Sequence, residues 1–141
     1  MPDLARAIAE AANIDELDRE GRTALFYAAR DGNIVMVSAL LGRGSDPNAC
    51  DRNFETPLHF AAREYRPEVA KLLLRAGARI GAQDVHGNTP LGRAVFASRG
   101  RAEMIELLVS AGADKSLKNR HGVSPEDLAK TIANYDVASL L

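Results

Sequence analysis

Three stretches of this chain are variants of one another, and this limits the possible fold more than any other feature. DREGRTALFYAARDGN begins at Asp18, DRNFETPLHFAAREYR at Asp51 and DVHGNTPLGRAVFASR at Asp84. A fourth stretch, NRHGVSPEDLAKTIAN, begins at Asn119. Thr23, Thr56 and Thr89 lie 33 residues apart, and Ser124 follows 35 residues after Thr89. Behind each of the first three comes an aliphatic run and a glycine turn, with Gly44, Gly77 and Gly112 in register. A fixed period of this length is the signature of a stacked array in which each unit contacts only its neighbours.

The unit itself is legible from local chemistry. A Thr or Ser ahead of Pro or Ala starts a helix, because its hydroxyl accepts from an orphan backbone N–H. Pro57, Pro90 and Pro125 then fall where no N–H is needed. A second helix carries Val69, Leu72 and Leu73 at helical spacing. Gly77 is expected to end it in the left-handed conformation. Neither helix buries its apolar face alone, so stacking supplies the core. The composition agrees: 24 of the 141 residues are Ala and 16 are Leu, aromatics are 5%, and Trp is absent. Small side chains at each contact let neighbouring helices approach.

These residues closely resemble the ankyrin repeat, whose pattern is Asp-x-x-Gly-x-Thr-Pro-Leu-His-x-Ala-Ala, two helices and Gly-Ala-Asp. The resemblance covers about residues 10–135. It implies an all-α solenoid of helix–turn–helix units with β-turn fingertips, forming one domain. The units run 18–50, 51–83, 84–118 and a C-terminal capping repeat 119–141, with 1–17 as an N-terminal capping half-repeat. Asp3, Arg6 and Glu10 would give the first helix a polar outer face, as Glu126, Asp127 and Lys130 would the last.

The chain departs from the pattern in several places. Phe54 replaces the turn glycine and would rigidify or reshape its fingertip. Gly92 and Arg93 replace His and an apolar residue, and Glu126 replaces a core Leu. The third repeat is two residues longer around FASRGRAE, in the loop between its helices. Inserted residues map to loops and mark either a tolerated extension or a functional feature.

No catalytic constellation emerges. His59 holds the motif position that braces the threonine turn. His86 and His121 occupy equivalent fingertip positions, and repeats about 10 Å apart would keep them from sharing one ion. A metal-dependent hydrolase built on these two is the weaker alternative, since the ligand set is incomplete. No phosphate-cradling glycine motif is present. The single cysteine, Cys50, excludes an intramolecular disulfide and is expected to be small and partly buried. With 18 basic and 19 acidic residues, bulk electrostatics do not favour a nucleic-acid partner. Neither a signal segment nor a membrane span is evident, so a cytoplasmic, cofactor-free protein is expected.

Without chemistry of its own, the chain would act through its surface. The ankyrin resemblance implies a concave face formed by fingertips and inner helices. Fingertip candidates for partner contact are Arg19, Glu20, Arg22, Arg52, Asn53, Glu55, Val85, His86 and Asn88, with Arg120 and His121 in the fourth unit. Candidates on the inner helices are Arg30, Asp31, Arg63, Glu64, Tyr65, Arg93 and Phe96. Basic residues are 14 Arg against 4 Lys, and Arg suits interfaces because it pairs bidentately and stacks on aromatics. Arg22, Arg30, Arg52, Arg63 and Arg93 would form one strip with Glu20, Glu55 and Glu64. Tyr27 and Phe60 are assigned to the core. Reversing the charge of Arg30, Arg63 and Arg93 is expected to abolish binding with little loss of thermal stability.

The expected partner is one folded protein, with the free chain a monomer. The third and fourth repeats are similar to those of small stand-alone bacterial ankyrin proteins, some of which are immunity proteins that neutralise a toxin. That resemblance implies an inhibitory role; a generic scaffold or adaptor is the alternative.

Overall fold

The computed structural model describes residues 13–132 and 137–141. Among these, seven α-helices alternate between two layers, with no strand. The inner layer is α1 (Ala24–Asp31), α3 (Pro57–Arg63), α5 (Pro90–Ala97) and α7 (Pro125–Thr131). The outer layer is α2 (Ile34–Gly42), α4 (Pro67–Arg75) and α6 (Glu103–Ser110). Inner helices pack on inner and outer on outer in chain order, and each inner helix of the first three units packs on its own outer partner. A short 3₁₀ turn, Ala138–Leu140, packs against α7. The proposed N-terminal half-repeat, with Asp3, Arg6 and Glu10, lies mostly outside the described residues.

Equivalent side chains stack to make the core. Leu25, Leu58 and Leu91 are fully buried on successive inner helices, and Leu40, Leu73 and Leu108 play the same part on the outer ones. Each contributes about 1.5–3 kcal/mol through burial. Ala28, Ala29, Ala61, Ala62 and Ala94 fill the contacts between inner helices. In the last unit Glu126 stands where these leucines stand and is half-buried, as a terminal face requires.

The helix starts follow the sequence chemistry. Pro57, Pro67, Pro90 and Pro125 occupy first-turn positions of their helices. Thr56, Thr89 and Ser124 each accept a backbone N–H three residues on. Thr23 does not cap: its hydroxyl is buried without a partner among the described residues. Gly77 is left-handed at φ +97°, just beyond α4.

Two core assignments change. Tyr27 is only half-buried, and its hydroxyl donates to Asp18 at the molecular edge. The buried aromatic of the first unit is Phe26, which meets Phe60 edge-on with ring centroids 5.4 Å apart. Phe26 aligns with His59, so the motif's polar position is filled there by an apolar ring. Cys50, expected to be partly buried, is exposed on the connection between units.

Candidate functional site

The fingertips are built on one repeated device. In each, an Asp or Asn bonds through Oδ1 to the backbone N–H groups two and four residues ahead. Asp18 holds Glu20 and Arg22, Asp51 holds Asn53 and Glu55, Asp84 holds His86 and Asn88, and Asn119 holds His121 and Val123. The residue three on is left-handed: Gly21, Phe54, Gly87 and Gly122. Phe54 keeps this conformation at φ +57°, so the substitution leaves the turn type unchanged. A Cβ makes that conformation cost about 1–2 kcal/mol. The fingertips are then tied to one another by backbone bonds. The amides of Arg52, Val85 and Arg120 donate to the carbonyls of Glu20, Asn53 and His86 at 2.8–2.9 Å.

Asp18, Asp51 and Asp84 each use Oδ2 for a side-chain donor. At Asp18 and Asp84 the donor comes nine residues on, from the Tyr27 hydroxyl and the Arg93 guanidinium. Nine residues after Asp51 stands Phe60, which cannot donate. There Arg22 reaches across from the preceding unit, its Nε 3.0 Å from Asp51. Burial by itself would raise the Asp84 carboxyl. The N–H of Asn88 and the Arg93 guanidinium outweigh it and hold the group below the ordinary carboxylate value.

This network redraws the strip of mixed charge. Glu55 is not a surface acid: it is buried, and it binds Arg63 at 3.0 Å with Arg93 at 3.6 Å. Arg63 also lies 3.6 Å from Glu64. Arg22 and Arg63 cover the Phe60 ring from 4.8 and 4.6 Å. Arg22, Arg63 and Arg93 are therefore guanidiniums fixed on largely buried carboxylates, with one edge toward solvent. Arg30 differs, because its pair with Asp31 is exposed on both sides. Arg93→Glu would set three carboxylates together, so the expectation that its reversal leaves stability intact does not survive.

Other candidates sort by exposure. Arg19, Glu20, Arg52, Asn53, His86, Asp31, Glu64, Arg120 and His121 are exposed. Val85 and Asn88 are half-buried. Asn88 has internal duties, since its carbonyl accepts from His59 Nε2 at 2.8 Å and its Oδ1 accepts from Asn119. His59 Nδ1 in turn accepts the Thr56 N–H at 3.1 Å, which puts the ring proton on Nε2. Burial pushes the His59 pKa below its ordinary 6.5. The rings of His86 and His121 stack with centroids 6.4 Å apart, closer than the spacing of repeats suggested. Among the described residues no group of three or more His, Cys, Asp or Glu is placed to hold a metal ion.

Phe96 is 74% exposed. It is third in a row with Arg30 and Arg63, which end successive inner helices at 33-residue intervals. Tyr65 is half-buried rather than open: its hydroxyl accepts the Met104 N–H at 3.1 Å, and Arg101 lies over its ring at 3.8 Å. Sequence reasoning missed the three Asp hubs and Arg101. The hubs had a signal, since an Asp opens each of the first three motifs. Arg101 had none, because its role depends on where the inserted loop folds.

With stacked helix pairs and braced fingertips in place, the chain is defined as a helical repeat solenoid. A family model of ankyrin repeats in three copies matches residues 1–84 and 36–119, and the chain belongs to the ankyrin-repeat family. Ankyrin repeats serve in general as protein–protein interaction modules rather than as enzymes. No curated protein matches the chain. No helix among the described residues is long and apolar enough to cross a membrane.

Proposed function

We propose that this chain is a non-enzymatic module that binds one folded protein through its concave face and fingertips, and that binding occludes or regulates that protein. The observation that carries this is the row of Arg30, Arg63 and Phe96 along the inner helices, flanked by guanidiniums anchored on buried acids. Fixed Arg side chains and an exposed aromatic are the composition of interface hot spots. Anchoring reduces the entropy a partner must take from each arginine on docking. Exposed Arg19, Glu20, Arg52, Asn53 and His86 extend the surface along the fingertips. Arg22, Glu55 and Asn88 contribute by holding their neighbours.

An inhibitor or immunity role follows if the partner is a toxin or other enzyme whose active site the bound repeat array covers. The scaffold alternative predicts binding without loss of the partner's activity. Capture from the source cell with the full chain, followed by assay of the captured protein with and without it, separates the two. Phe96→Ser should weaken capture about tenfold or more, because an exposed hot-spot aromatic is worth about 2 kcal/mol. Capture unchanged by Phe96→Ser and by Arg30→Glu would remove the concave assignment.

A further inference from the structure

The loop inserted in the third repeat is built rather than slack. Ser98 is fully buried and donates from Oγ to the Val95 carbonyl at 2.9 Å. Arg101 folds back, donating from Nε to the Ser98 carbonyl at 2.8 Å and from a terminal nitrogen to the Ala97 carbonyl at 3.0 Å. Its guanidinium caps the Tyr65 ring. Arg99 and Gly100 are both left-handed, at φ +52° and +82°. The two turns project Arg99 outward, exposed and with no acidic partner among the described residues.

The loop forms one wall of a solvent-open cleft of about 490 Å³. Arg63, Arg93, Arg99 and Arg101 line it, with Phe96 and a single acid, Glu64. Arg63 and Arg93 are held from below by Glu55 and Asp84. Arg99 and Arg101 face no carboxylate among the described residues. The lining thus offers fixed, partly unsatisfied N–H donors around one exposed aromatic.

We infer that this cleft receives an acidic segment of the partner, presenting carboxylates to Arg99 and Arg101 beside an apolar side chain that packs on Phe96. The inference rests on the protein-binding reading above and deepens it. Charge complementarity selects the occupant: Arg63 and Arg93 are already paired with Glu55, Glu64 and Asp84, and Arg99 and Arg101 are the lining cations with no carboxylate among the described residues. Glu64 at the rim and an overall charge of −1 provide no continuous basic track for a nucleic-acid backbone.

The test uses the full chain immobilised and panned against a random peptide display library. Peptides enriched for paired Asp or Glu beside an aliphatic or aromatic residue are expected. Their binding should fall about tenfold in Arg99→Glu and in Phe96→Ser, recover in Arg99→Lys, and weaken with added salt. Both positions are exposed, so the variants should melt with the parent chain. Enriched peptides without acids, no enrichment at all, or equal binding to Arg99→Glu would overturn the proposal. So would a single-stranded oligonucleotide that competes at the cleft. A protein captured equally by wild type and Arg99→Glu would overturn the cleft alone and leave the concave-face reading standing.

Discussion

The first and second repeats are alike in sequence but are secured differently. Thr56 caps its helix, His59 braces Thr56, and the other ring nitrogen reaches the next unit at Asn88. At the equivalent places Thr23 has a hydroxyl with no partner among the described residues, and Phe26 packs on Phe60. The same contrast holds for charge. Arg63 and its neighbour Arg93 sit on buried acids, while Arg30 pairs with exposed Asp31. A motif letter has its effect only when its partner residues are present, and here they are complete in the middle of the stack. The arginines best fixed for binding are therefore those that reach a buried acid, Arg22, Arg63 and Arg93, and Arg30 is the one that does not.

Breaking the second unit's brace should have the largest effect. His59→Ala leaves the buried Thr56 N–H unpaired, takes one of two donors from the Asn88 carbonyl and opens a cavity, so a loss of about 2–4 kcal/mol is expected from denaturant unfolding. Arg93→Glu comes next. It removes a partner from buried Asp84 and Glu55 and should cost about 2–3 kcal/mol, whereas Arg30→Glu, at an exposed pair, should leave the unfolding midpoint near that of the parent chain. Equal losses at the two positions would erase the distinction between anchored and free arginines.

Cap removal sharpens the comparison further. Thr56→Ala should cost about 1 kcal/mol. Thr23→Val, which deletes an unpaired buried hydroxyl, should be neutral or stabilising. Phe54→Gly tests the fingertip: relief of left-handed strain should raise stability by up to about 1 kcal/mol. Weaker partner capture by the same variant would mark Phe54, 57% exposed, as a contact.

Acid should act on the units unequally. The His59 pKa is lower folded than unfolded, so the unfolded chain binds more protons below 6.5. The stability that the neutral ring contributes is complete above that pH and is lost as pH falls toward the folded value. Asp84, also depressed, adds its loss lower, as pH falls through 3.8 and below. Melting from pH 7.5 to 5 should show a decline that His59→Gln largely removes. A decline of equal size in that variant would assign it elsewhere.

How much of this was legible follows from how local each cause is. The period, the caps at Thr56, Thr89 and Ser124, the first-turn prolines and the left-handed Gly77 each depend on a few consecutive residues. The role of His59 was legible because its motif position is itself local. Tyr27 was assigned to the core because it holds the repeat position of Phe60, and that position does not show that its hydroxyl bonds Asp18 at the edge of the stack. Glu55 was placed on the surface because its burial depends on Arg63, eight residues on, and on Arg93 in the next unit.

The sequence alone determined the repeat, the helix starts and stops, and the small-residue stack, because these are fixed by neighbours in the chain. Only the tertiary structure decided which charges are anchored and which are free. Arg22 supplies Asp51 because Phe60 cannot, and Arg101 braces the inserted loop on Tyr65. Those pairings join residues that stacking brings together across units, where side-chain reach rather than spacing in the chain chooses the partner.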